Sequence, residues 1–157
     1  MLMPQVTKGG KFIFGWSVIN KNLKIQLPQM AINEYNITSE DKVYLVSGSK
    51  KTGGFCVTKR ELLYNSKIGN ILIDTPLLSD YQIPEGEFVK YKGRLYCWLS
   101  ISSNGVLQLN DTILNTLSIK IGDKLLSIRG SDISFVMGVK GPLIERAINF
   151  EGNIEVY

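Results

Sequence analysis

Residues 40–49 read "EDKVYLVSGS" and residues 122–131 read "GDKLLSIRGS". Each phrase starts in a polar turn, passes through an Asp-Lys pair into an apolar run, and stops at a glycine. That is the pattern of a strand entering and leaving between turns. The two phrases lie 82 positions apart, and the same offset carries well beyond them. Between residues 8–49 and 90–131, twelve of 42 gapless pairs are identical, among them Trp16/Trp98, Asn22/Asn104, Gln26/Gln108, Leu27/Leu109, Asp41/Asp123 and Lys42/Lys124. Ordinary composition gives about two or three by chance.

Past Ser49 the match loosens by a residue or so. "GFCVTK" (54–59) then answers "FVMGVK" (135–140), and "GNILID" (69–74) answers "GNIEVY" (152–157). The chain therefore reads as a tandem duplication, with repeat one at residues 8–74, a linker at 75–89 and repeat two at 90–157. Charge follows the same division: net +5 in repeat one, −3 in the linker, which holds two prolines and no basic residue, and +2 in repeat two.

Each repeat has the same expected order of elements. "KFIFGWSVI" and "RLYCWLSI" are aromatic and β-branched runs ending in Asn-containing turns, the appearance of a strand entering a hairpin. A short second strand follows ("KIQL", "VLQL"), then a short helix. Pro28 suits the first turn of that helix, Asn110 and Asp111 suit its N-cap, and Ile113, Leu114 and Leu117 fall on one face. Then come the strand of the opening phrases, its antiparallel return, a second short helix ("RELLYNS", "PLIERAI") and a final short strand. Asn22 and Asn104 read as turn residues that tolerate unusual backbone angles. Such a unit cannot cover its own apolar face, and two copies in one chain can cover each other. The expectation is a mainly β fold with short helices, one pseudo-symmetric barrel or two interlocked half-barrels.

The chain has 157 residues, 44% of them hydrophobic, enough for a proper core. The N-terminal "MLMPQVTKGGKF" offers no signal-peptide run, and lysines interrupt every candidate membrane span, which leads to the expectation of a soluble cytoplasmic protein without a membrane partner. There is no histidine, so Ser-His-Asp and Cys-His catalysis and His-based metal sites are excluded. Cys56 and Cys97 lie in separate apolar runs and read as small buried hydrophobes rather than ligands. No Walker A, Gly-x-Gly-x-x-Gly or Gly-x-Ser-x-Gly pattern is present, and the carboxylate pairs Glu40/Asp41 and Glu85/Glu87 fall in turns or the linker. A non-enzymatic protein without cofactor or metal is expected.

"NLKIQLPQMAINEYNITSEDKVYLV" and "NGVLQLNDTILNTLSIKIGDKLLSI" together resemble the pattern of the AbrB/MazE/SpoVT family: a turn, a short strand ending in proline, a short helix, a Leu-Gly-Ile-like step, then Gly-Asp-Lys and a strand. The resemblance covers about 35 to 40 residues in each repeat. It implies a swapped-hairpin β-barrel, here with both units from one chain, and a DNA-binding transcriptional regulator whose barrel face is lined with cations. The family's basic positions carry over only in part: the basic residue before the second strand is Lys24 in repeat one but Val106 in repeat two, and neither first helix carries a basic residue.

The cations that could contact phosphate are Lys8, Lys11, Lys21 and Lys24 near the first hairpin and Lys50 and Lys51 in the glycine-rich "SGSKKTGGF", each of which could instead be an ordinary solvated lysine. Arg129, the counterpart of Ser47, could equally be a structural hydrogen bonder. Trp16 and Trp98 could stack on bases, though two apolar strands favour core packing. The other reading of the same barrel is a ligand-binding or protein-interaction module that has lost DNA binding. Exposed edges from the first and last hairpins leave room for a homodimer.

Overall fold

The computed structural model describes residues 12–157, so Lys8 and Lys11 lie outside the described residues. In chain order the elements are β1 (Ile13–Val18), β2 (Lys24–Gln26), α1 (Gln29–Tyr35), β3 (Lys42–Ser47), β4 (Phe55–Thr58), α2 (Arg60–Tyr64), α3 (Asn70–Asp74), α4 (Pro76–Ser79), β5 (Val89–Tyr91), β6 (Arg94–Ser100), β7 (Val106–Gln108), α5 (Asp111–Leu117), β8 (Lys124–Arg129), β9 (Phe135–Gly138) and α6 (Pro142–Ile148). The fold is mainly β with short helices. An antiparallel sheet runs in the order β1-β8-β9-β4-β3-β6-β5, and β2 pairs with β7 in a second, two-stranded sheet.

Pairing crosses between the halves. β1 lies on β8 with Trp16 opposite Leu126 and Val18 opposite Lys124, and β6 lies on β3 with Trp98 opposite Tyr44 and Ser100 opposite Lys42. Subtracting or adding 82 turns one register into the other. β2 and β7 pair with each other about Ile25 and Leu107, and β4 and β9 about Cys56 and Val136. Phe55 and Phe135 thus occupy matching positions 80 apart, so the correspondence shifts by two residues after the glycines. The tip at 49–54 is two residues longer than the tip at 131–134.

The hairpin between β1 and β2 is held by side chains that the repeat keeps or replaces in kind. Asn20 Oδ1 accepts from the Asn22 and Lys24 N–H groups at 2.9 and 3.0 Å; Ser102 Oγ takes the same place in the second half, accepting from the Val106 N–H at 2.9 Å. The unusual backbone angles fall not on Asn22 and Asn104 but on the following residues, Leu23 (φ 62°) and Gly105 (φ 80°). The paired glutamines clamp the two turns to each other. Gln26 Nε2 donates to Asn104 O at 2.7 Å, and Gln108 Nε2 donates to Asn22 O at 3.0 Å.

Asn110 is the N-cap of α5, accepting from the Ile113 N–H at 2.8 Å. Pro28 stands one place earlier than expected, as the N-cap of α1 with no side-chain cap bond, because its extended ψ of 138° precedes the first helical residue. Both helices end on a left-handed residue, Asn36 and Ser118.

One face of the large sheet packs on α1 and α5, burying Val43, Leu45, Phe55, Leu125 and Phe135 with Ile32, Tyr35, Ile113, Leu114 and Leu117. The other face is covered differently in each half. Tyr44, Val46 and Tyr96 pack under α2, α3 and α4 through Leu63, Ile71, Leu72 and Leu78. Trp16, Leu126 and Ile128 pack under α6 through Ile144 and Ala147. Burying each of these large side chains contributes about 1.5–3 kcal/mol. Because both faces are covered, strand residues are apolar at nearly every position instead of every second one.

"GNILID" is not the expected strand: residues 70–74 form α3. Its counterpart "GNIEVY" does pair, with the Trp16 N–H donating to Glu155 O and the Tyr157 N–H to Trp16 O, both at 2.8 Å. The difference lies in the available edge. On β6 the matching edge is taken by β5, with Val89 opposite Tyr96, so residues 70–74 have no strand to join. β1 also carries a bulge at Phe14 that β6 lacks. A Cβ on Gly15 beside that bulge would stand 2.6 Å from the Tyr157 ring, so the missing side chain admits the C-terminal segment. Among the described residues no helix is long and apolar enough to cross a membrane.

Candidate functional site

The tip at residues 49–54 is shaped by glycine. Gly53 and Gly54 have φ of 62° and 60°, and a Cβ on Gly54 would collide with Met137 O. The close approach lets Thr52 O accept from the Val139 and Lys140 N–H groups at 2.8 and 3.1 Å, fastening the repeat-one tip to the end of β9. A Cβ built on Gly53 would stand 3.6 Å from Lys140 Cε, and one on Gly141 2.7 Å from Lys51 O. Lys50 and Lys51, both expected as phosphate contacts, are thereby placed beside Lys140.

Val139 continues this surface into a cavity of about 560 Å³ lined also by Lys120, Asp123 and Lys124. The Asp123 carboxylate accepts from the Lys120 backbone N–H at 3.0 Å, and Lys124 Nζ lies 4.8 Å from the Trp16 ring centroid. The result is a run of five lysines, 50, 51, 120, 124 and 140, with one carboxylate, Asp123, in the cavity that Lys120 and Lys124 line. None of the five is ion-paired among the described residues. Lys120, Lys124 and Lys140 were not singled out from sequence. Nothing local marks them, because the contact that assembles them joins residues about 90 positions apart, Thr52 and Val139–Lys140.

Lys21 and Lys24 are exposed. Lys24 lines a separate cavity of about 540 Å³ with Glu85, Ser100 and Gln108, and the Glu85 carboxylate there accepts from the Ser100 N–H at 2.7 Å. Lys24 is therefore not part of the cavity that Lys120 and Lys124 line.

Arg129 takes the structural role. Its Nε donates to Glu34 Oε2 at 2.7 Å and its Nη2 to Glu34 Oε1, a fork that ties β8 to α1 and raises the guanidinium pKa through the hydrogen bonds to that carboxylate. Its Cζ also sits 4.8 Å from the Phe12 ring centroid. The tryptophans are packing residues. Trp16 is buried, and Trp98 is half-buried with its Nε1–H donating to Ile83 O at 2.6 Å. Cys97 is buried in the core, where desolvation pushes its thiol up to about 12; Cys56 is half-buried.

The opposite end of the sheet carries the equivalents of these lysines and is differently charged. Arg60, two residues past Thr58 on β4, pairs with Asp80 at 3.5 Å. Lys42, the counterpart of Lys124, lies over the Tyr81 ring at 5.3 Å. Lys59 is buried and donates to Asn36 O at 3.1 Å and Ser39 Oγ at 2.7 Å, securing the end of α1. No group of three or more Cys, Asp or Glu side chains suited to a metal occurs among the described residues. Compared with known proteins, the chain matches no family model and no curated protein sequence.

Proposed function

We propose that the chain is a DNA-binding regulator of the AbrB-like type, built as a pseudo-symmetric swapped-hairpin barrel from two repeats of one chain. The crossing of β1 onto β8 and of β6 onto β3 at one register supports the barrel. The observation that carries the DNA reading is the surface formed by Lys50, Lys51, Lys120, Lys124 and Lys140. An unpaired lysine group gains affinity for a polyanion by releasing its condensed counterions. Lys21 and Lys24 are secondary contacts in this reading. The contacts are to phosphate, so affinity depends on salt more than on sequence.

Fluorescence anisotropy on random and A·T-rich duplexes at low and at physiological salt tests the proposal, with mass determination on the same sample to read monomer against homodimer. Binding that weakens steeply with salt is expected. One observation favours the other reading, a protein-interaction or ligand-binding module: α1 presents Glu34 rather than a cation, and that carboxylate occupies Arg129. Absence of binding at low salt would select it.

A further inference from the structure

Away from the lysine surface, the loop between α2 and α3 and the hairpin of β5 and β6 enclose a cleft of about 340 Å³. Lys67 enters it from the loop, and Lys92 and Arg94 from the hairpin; Ile68, Tyr91 and Tyr96 supply its apolar walls. No carboxylate lines it. The nearby Asp74 accepts the Tyr91 hydroxyl and so fixes that ring, while Lys92 Nζ stands 5.4 Å from the ring centroid.

Tyr96 is the telling residue. Only 5% of it is exposed; its hydroxyl makes no hydrogen bond among the described residues and is not itself a buried atom, whereas the hydroxyls of Tyr35, Tyr44 and Tyr91 all have acceptors within the chain. Burial raises its pKa, with Arg94 opposing, so the hydroxyl remains a donor at neutral pH. A buried ring held by the core, with an uncommitted donor beside three cations, is suited to an anion that brings its own acceptors.

We propose that this cleft binds a phosphate monoester carrying a compact apolar or aromatic body, of about mononucleotide size. Lys67, Lys92 and Arg94 surround the phosphate, the Tyr96 hydroxyl donates to one of its oxygens, and Ile68 and the Tyr91 ring contact the body. The volume falls at the small end of the range for small-molecule sites. Arg94 offers the planar donor fork that suits phosphate.

The test is titration of the full chain by calorimetry with AMP, adenosine and inorganic phosphate, without DNA, so that its result is independent of the lysine surface. Saturable binding of AMP, at least about tenfold tighter than adenosine or inorganic phosphate, is expected. Lys67→Glu and Arg94→Glu alter exposed side chains and should each weaken AMP about tenfold or more. Tyr96→Phe removes only the hydroxyl and should cost about fivefold. Thermal melting of each variant verifies the fold. Two results would overturn the proposal: no saturable AMP binding at millimolar concentration, or AMP affinity unchanged in folded Arg94→Glu and Tyr96→Phe. Inorganic phosphate binding as tightly as AMP would remove the organic body from the assignment.

Discussion

The two hairpin tips, residues 49–54 and 131–134, hold matching places in the two halves and dock on opposite ends of the sheet by different means. The first is two residues longer, carries Lys50 and Lys51, and is fastened through backbone N–H groups to Thr52 O. The second carries Asp132 and is fastened by side chains. Tyr35 Oη donates to Ser131 O at 2.7 Å, and Thr58 Oγ1 to Ile133 O at 2.6 Å. The strands of the two halves therefore share one register while the tips differ in length, charge and anchoring. Register is fixed by which side chains face the core, whereas a tip is constrained only by its anchor.

The largest effect expected from this difference is on DNA affinity. Lys50→Glu, Lys51→Glu and Lys140→Glu combined should lower it about a hundredfold at physiological salt and reduce the salt slope by about three, if each lysine neutralises one phosphate. The circular dichroism spectrum should be unchanged, because all three side chains are exposed. Lys24→Glu in the separate cavity should cost far less. Equal losses from the triple change and from Lys24→Glu would erase the distinction between the two ends.

What the sequence disclosed follows from the same contrast. The mainly β class, the matching strand registers of the two halves, the cap at Asn110 and the apolar face of α5 were legible because each depends on neighbours within a few residues or on a pattern written twice. The helix at residues 70–74 was hidden, since its segment repeats a stretch that does pair, and only the occupation of the β6 edge by β5 decides between strand and helix. The clamps made by Gln26 and Gln108 appeared as identities without a role, because each reaches a backbone carbonyl 78 or 86 residues away. Two of the five lysines of the surface were visible as the glycine-flanked Lys50 and Lys51; the rest depends on where the tip lands.

Anchoring should respond to pH in one tip and not in the other. Desolvation by burial, aided by Glu34, pushes the Tyr35 hydroxyl up to about 12 in the folded protein from an ordinary 10.0. The unfolded chain loses this proton first, so the stabilisation is complete below pH 10 and is lost as pH rises towards 12. The loss from Tyr35 should reach roughly 2 kcal/mol. Hydrogen exchange followed from pH 9 upward should therefore show the 131–134 tip opening before the 49–54 tip, whose backbone anchor does not titrate. Tyr35→Phe should remove this alkaline sensitivity, and simultaneous opening of both tips in the native chain would contradict the assignment of the anchor.

The covering of the sheet's outer face gives a smaller effect. Tyr44 Oη donates to Leu78 O at 3.1 Å, joining β3 to α4, while its counterpart on β8 is Leu126, which packs under α6 without a polar contact. Tyr44→Phe should destabilise the fold by about 1 kcal/mol, measured by urea unfolding. An unchanged midpoint would mean that apolar packing of Leu78 alone holds α4 in place.

The smallest effect is the most direct test of the asymmetry. Asp132 borders a cavity of about 430 Å³ with Lys67 and Asn65, so Asp132→Lys replaces the acid of the second tip with the charge that Lys50 contributes to the first. If cations at a tip sufficed, affinity for DNA should double by statistics, as a second equivalent end became available. The second end still has Lys59 buried and Arg60 held by Asp80, where the first end offers Lys140 and Lys120; Lys42 and Lys124 lie over rings alike. One added charge there acts only through the long-range field, which salt screens within about 8 Å. The gain should therefore stay under about twofold at low ionic strength and vanish at physiological salt, with the stoichiometry staying at one duplex per chain. A second duplex bound per chain after this single change would mean that the tip alone, rather than the tip together with the strand ends it lands on, makes the DNA surface.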